Sequence, residues 1–198
     1  IATPDSNPQN LPSDEYPLIL NTGRIRDQWH TMTRTAKSER LTRHISEPFL
    51  EISPDDATAL GLKEAGLAHV QSKWGEAILR VLITNRVQAG QVFAPMHWTT
   101  RYASRGRVDA LTSSARDPVS GQPELKFTPV SVNPAKVEWY GFGVFEDEPD
   151  EAQLSGVGYW SKARVEAGWR IELAGEGDLD FAGKVTKNLI DDEDEATD

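Results

Sequence analysis

Short apolar runs separated by turn signals about every ten residues constrain this chain more than any other feature. Leu18-Ile19-Leu20 opens the series and Phe49-Leu50-Glu51-Ile52 follows. Ala68–Ser72 and Ala77–Thr84 flank Lys73-Trp74-Gly75-Glu76, which reads as a hairpin turn. Gln91–Pro95, residues 126–132 and residues 136–144 supply further strands. Such a pattern predicts a mainly β chain closed into a barrel or a sandwich, not an open parallel sheet. Ser53-Pro54-Asp55-Asp56 marks a short helix, with Ser53 as N-cap, Pro54 at the first helical position and a stop at Gly61. Its acids suit the helix dipole better than catalysis.

The strand exit after Leu20 concentrates unusual chemistry. Asn21 to Arg34 brings together a glycine, three arginines, Trp29, His30 and several hydroxyls. Glycine permits close backbone approach, guanidinium forks match phosphate oxygens in pairs, and an indole offers a stacking face. The chain carries a formal net charge of -10, yet residues 22–44 hold six Lys/Arg (Arg24, Arg26, Arg34, Lys37, Arg40, Arg43) against two acids, Asp27 and Glu39. A basic segment in so acidic a chain is a local field suited to a small anion such as a pyrophosphate. Nucleic acid is a poor partner, because its backbone is repelled beyond the patch. An ordinary basic loop, with Arg24 and Arg26 facing solvent and His30 as a capping side chain, is the alternative that this composition leaves open.

Cysteine is absent, which excludes disulfides, thiolate-held clusters and a cysteine nucleophile within these residues. His30, His44, His69 and His97 form no metal-binding spacing, and no phosphate-binding loop, nucleophile elbow or dinucleotide glycine fingerprint occurs. The chemistry is therefore expected to come from a ligand or from another part of the protein. The start at Ile1, without methionine or a signal pattern, reads as a fragment or a processed chain. No apolar run approaches a membrane span, so the expectation is a soluble, cytoplasmic protein without membrane partners.

Residues 1–15 read as a polar linker and residues 16–132 as the main barrel. Residues 133–183 read as an aromatic-bearing C-terminal appendage, and 184–198 as a disordered acidic tail.

Several blocks in order resemble the C-terminal cofactor-binding domain of the molybdopterin oxidoreductases. Thr22-Gly23-Arg24 with Gln28-Trp29-His30-Thr31 is similar to the family's strand exit. Glu51-Ile52-Ser53-Pro54-Asp55-Asp56-Ala57, Ser72-Lys73-Trp74-Gly75-Glu76, Gly90-Gln91-Val92-Phe93 and Pro95-Met96-His97-Trp98 follow in family order. Ala110-Leu111-Thr112 with Asp117 to Lys126, and Gly168-Trp169-Arg170 further on, resemble the bacterial assimilatory nitrate reductases most.

The resemblance implies a six-stranded double-psi β-barrel with short flanking helices. It implies that Thr22, Gly23, Arg24, Gln28, Trp29, His30, Thr31, Asp109 and Lys126 bind molybdopterin guanine dinucleotide, with no metal ligand and no catalytic residue in this chain. Asp109 stands where the family usually has asparagine, and a carboxylate only accepts where an amide also donates. Lys126, placed inside an apolar strand, calls for an anionic or carbonyl partner. His97 and Trp98 would face the substrate funnel. The metal ligand and any iron–sulfur cluster would lie upstream, leaving the isolated chain inactive. Partners would be upstream domains of the same polypeptide and an electron-donor protein. The implied function is nitrate reduction; a formate dehydrogenase and a non-enzymatic recognition barrel are the alternatives.

Overall fold

The computed structural model describes residues 8–177. The expected acidic tail, 184–198, lies outside the described residues, as do residues 1–7 of the linker.

Six strands close into a barrel: β1 (Leu18–Gly23), β2 (Phe49–Ile52), β3 (Leu67–Gln71), β4 (Glu76–Ile83), β5 (Gln91–Pro95) and β6 (Thr128–Pro134). Their order around the wall is β1-β5-β2-β4-β3-β6. β1 runs parallel to β5, from Ile19 opposite Gln91 to Gly23 opposite Pro95. β2 runs parallel to β4, and the remaining neighbours are antiparallel. This is the double-psi barrel that the motifs implied. Alternation explains the closure: Leu18, Leu20, Leu50, Ile52, Val70, Leu79, Val81, Val92, Val130 and Val132 all enter one buried core.

Helix α1 (Glu39–Thr42) and helix α2 (Pro54–Ala59) are short, as expected. At the start of α2 the Ser53 hydroxyl accepts from the Asp56 N–H at 3.1 Å and donates to the Asp56 carboxylate at 2.8 Å. That carboxylate also accepts from the N–H of Gly90 at 2.8 Å, which fixes the turn into β5. Asp56 therefore does more than meet the helix dipole. Gly61 stops the helix with a φ of 68°, a left-handed backbone that glycine adopts without strain. Gly75 closes the β3–β4 turn, where Ser72 N–H donates to its carbonyl at 2.9 Å.

Two sequence assignments change. The last barrel strand is Thr128–Pro134, so Lys126 sits in a bend before it, and the expected boundary at residue 132 falls inside β6. Residues 136–144 overlap β7 (Trp139–Phe145), which pairs with β9 (Gly168–Gly175); β9 in turn pairs with β8 (Tyr159–Val165) in a separate three-stranded sheet. This sheet is bound tightly to the barrel side. Tyr159 donates from its hydroxyl to Glu47 at 2.8 Å, and Arg80 of β4 meets the same carboxylate at 2.6 Å. Burial and the Glu47 charge push the Tyr159 phenol well above its ordinary pKa, so it remains the donor. The Thr42 hydroxyl donates to the carbonyl of Arg164 at 2.5 Å, tying α1 to β8. On the sheet's other side, buried Lys162 pairs with Glu148 at 3.0 Å and donates to the carbonyl of Pro149 at 2.7 Å. Trp160 and Trp169 flank that ammonium.

Candidate functional site

The site is built where β1 ends. Gly23 accepts from the N–H of Met96 at 2.9 Å, extending the parallel pairing with β5. A Cβ at Gly23 would stand 2.7 Å from the Phe93 ring, so the glycine leaves the room that this ring occupies. Thr22 is buried, and its hydroxyl donates to the carbonyl of Leu125 at 2.6 Å. Lys126 donates to the carbonyl of Thr22. The carbonyl partner that Lys126 called for is therefore in β1, and the segment before β6 is pinned against the strand exit.

Beyond Gly23 the loop divides into outward and inward residues. Arg24 is exposed, with its guanidinium 5.3 Å from the centroid of Trp29. Trp29 is 57% exposed and meets His30 edge-on at 4.6 Å between ring centroids. Thr31 is exposed and shares a hydrogen bond with Thr33 at 3.1 Å. Gln28 turns inward instead. It accepts from the Thr35 hydroxyl at 2.7 Å and donates to the carbonyl of Leu41 at 3.5 Å. Gln28 thus braces the loop from behind and is not an exposed contact.

His30 and Met32 have φ values of 44° and 63°, left-handed backbone at residues that carry side chains. Such conformations cost on the order of 1–3 kcal/mol each and persist only where packing holds them. Met32 is held by burial with Ala36, Trp98, Tyr102 and Trp169. His30 is held by His97, which is 0% exposed. Its Nδ1 donates to the carbonyl of His30 at 2.8 Å, while its Nε2 accepts from the N–H of Ile25 at 3.0 Å. Burial pushes the His97 pKa below 6.5, against the opposing effect of the His30 bond; the charges of Arg24 and His30 lower it further. The neutral ring is the form that can both donate and accept. The buried His97 ring, expected at a substrate funnel, spends both of its nitrogens on the loop backbone.

Charge at this loop is largely uncompensated. Arg26 pairs with Asp27 at 2.8 Å, and His44 meets the same carboxylate. Among the described residues Arg24, Arg34, Lys37, Arg40 and Arg43 have no carboxylate partner. Two hollows flank the loop. One, of about 280 Å³, is lined by Trp29, His30, Thr33, Arg34 and Thr35. The other, of about 200 Å³, is lined by residues that include Thr22, Thr31, Met96, Trp98, Asp109 and Leu125. Asp109 lies on the 3-10 helix Val108–Leu111, exposed and paired with Arg107 at 3.2 Å. Trp98 is 2% exposed and its Nε1–H has no hydrogen-bond partner among the described residues. A buried donor left so costs roughly 1–3 kcal/mol.

The structure therefore gathers Thr22, Gly23, Arg24, Trp29, His30, Thr31, Asp109 and Lys126 around one strand exit. Arg34, the last residue of the Asn21–Arg34 stretch, joins them, as does Arg107, which no motif singled out. Free guanidinium groups, an exposed stacking face, an apolar-walled cleft and an unspent buried donor together fit a ligand with a diphosphate and flat polar rings.

This chain belongs to the molydopterin dinucleotide binding domain family, whose model matches residues 18–129. Its cofactor is thereby the molybdopterin guanine dinucleotide that the motifs implied. A nitrate reductase from Klebsiella oxytoca is 42% identical over 161 residues, which span 81% of this chain and 18% of that protein. The F420-dependent formate dehydrogenase subunit alpha of Methanocaldococcus jannaschii is 38% identical over 122 residues, covering 62% of this chain and 17% of that protein. Among solved structures, acetylene hydratase from Pelobacter acetylenicus shares the fold with a TM-score of 0.54 at 20% identity, over 61% of this chain and 19% of that one. The chain spans less than a fifth of the length of each of these relatives.

Proposed function

We propose that this chain is the cofactor-binding domain of a molybdenum-dependent nitrate reductase. The observation that carries the reading is the strand exit itself: Arg24 stacked on exposed Trp29, amid cations without carboxylate partners. Arg24 and Arg34 supply guanidinium groups for the diphosphate, Trp29 a face for a ring, and Thr31 a hydroxyl. His97, Gln28 and Lys126 hold the backbone that presents them. The bound group supplies the two-electron chemistry at molybdenum, and the protein supplies binding, orientation and field.

Nitrate is favoured over formate because the likeness to the Klebsiella oxytoca nitrate reductase runs over 81% of the chain, against 62% for the formate dehydrogenase. The longer match takes in residues beyond the barrel. Upstream domains of the same polypeptide and an electron-donor protein complete the machinery in this reading, and the chain alone reduces no nitrate.

The test uses the complete parent enzyme, with molybdenum and guanine-nucleotide content measured per molecule. Arg24→Ala should lower retention about ten- to a hundred-fold, the equivalent of one lost charged contact. Lys126→Ala should do so indirectly, by releasing the Thr22 carbonyl, whereas Lys37→Ala should change little. Full occupancy in both Arg24→Ala and Lys126→Ala would sink the site. Turnover of formate but not nitrate by the wild-type enzyme would leave the site and overturn the substrate.

A further inference from the structure

We propose that the indole N–H of Trp98 is a specificity contact for the ring carbonyl of an amino-oxopyrimidine, the unit shared by guanine and pterin. The inference rests on the cofactor-binding reading and deepens it. Trp98 lines the cleft of about 200 Å³ beside the loop, and its Nε1–H is a buried donor with no acceptor among the described residues. Two polar groups beside it already have protein partners. The hydroxyl of Thr22 donates to Leu125, and Asp109 pairs with Arg107.

The walls decide the ligand class. Met96, Val108 and Leu125 give the cleft an apolar lining, which suits a flat ring and desolvates a phosphate. Asp109 on the same cleft, though paired with Arg107, keeps lone pairs that accept from the ring N–H and amino groups of an amino-oxopyrimidine. An indole can only donate, so its partner on that ring is the carbonyl oxygen. Thr31, Met96, Arg107 and Asp109 are the exposed lining residues through which a ring would enter the cleft. A site built to pair a polar group discriminates strongly against an analogue lacking it, because its own group is then left unpaired.

The experiment titrates the 198-residue chain with four probes: guanosine diphosphate, its analogue lacking the ring carbonyl, a soluble pterin, and inorganic pyrophosphate. Affinity is read by calorimetry, and the indole N–H signals by nitrogen-15 NMR, with Trp98 assigned by its loss in Trp98→Phe. Wild type should prefer guanosine diphosphate to the carbonyl-free analogue, which also lacks the ring N–H that meets Asp109, by about ten-fold, and Trp98→Phe should shrink that preference while still binding pyrophosphate. The Trp98 signal should move with guanosine diphosphate, with the pterin, or with both, which tells which end of the dinucleotide enters the cleft. An unmoved Trp98 signal at saturation by both ring probes overturns the proposal, and sequential assignment of the wild-type spectrum supplies the signal if the variant does not fold. So does equal wild-type affinity for the two nucleotides. If pyrophosphate binding survives either result, the cofactor site stands and only the role of Trp98 falls. If no probe binds, both readings fall together.

Discussion

The imidazole of His97 donates to the backbone carbonyl of His30 at 2.8 Å, joining the end of β5 to a loop 67 residues earlier in the chain. Its other nitrogen accepts from Ile25, so one ring clasps both ends of the Ile25–His30 segment, which carries Trp29 and directly follows Arg24. The clasp converts a loop with two left-handed residues into a fixed surface.

Replacing His97 with phenylalanine keeps a ring in the buried space and removes both bonds. The Ile25 N–H and the His30 carbonyl then lose their partners, at roughly 1–3 kcal/mol for each group that stays buried. His97→Phe should therefore lower the denaturation free energy by a few kcal/mol. It should also weaken pyrophosphate binding at Arg24. Chemical denaturation and calorimetry on the same preparation check both; an unchanged denaturation midpoint would rule out the clasp.

The same residue sets a pH dependence. Burial holds the His97 pKa below the ordinary 6.5, so the unfolded chain takes up this proton first. The stability from the neutral ring is full above about pH 6.5, and it is lost as the pH falls through the depressed folded pKa. His97→Gln should flatten this part of the stability profile. Denaturation curves taken across the acid range for wild type and variant supply the comparison, and parallel profiles would contradict the assignment.

Gly75→Ala tests how the β3–β4 turn supports Asp109. A Cβ at this position would lie 2.6 Å from the carbonyl oxygen of Ala110, a backbone atom of the 3-10 helix Val108–Leu111. The Ser72 hydroxyl also donates to the carbonyl of Leu111 at 2.7 Å, so turn and helix move together. The substitution should cost on the order of 1–3 kcal/mol through overpacking. It should also shift the Trp98 indole signal without any ligand. A melting temperature and an NMR spectrum matching wild type would show that the turn carries no such load.

Local pattern made a large part of this protein legible in its sequence. Alternation in Leu18–Leu20 and Phe49–Ile52 fixed strands with one buried face, and Ser53-Pro54 fixed a helix start, because each depends on neighbours within a few residues. The phosphate-suited chemistry of Arg24 to Thr31 was legible for the same reason: its groups are adjacent in the chain. Chain closure lay beyond local reading. Whether β1 pairs with β5, or residues 139–145 join the barrel or a second sheet, depends on contacts between distant segments. Residue roles divide along the same line. Gln28 sits inside the recognised motif yet faces Thr35 and Leu41, while Lys126, which local pattern places in a strand, lies in a bend and holds the Thr22 carbonyl. A side chain's type names the bonds it is able to make; only the folded chain decides which partner, 67 or 104 residues away, receives them.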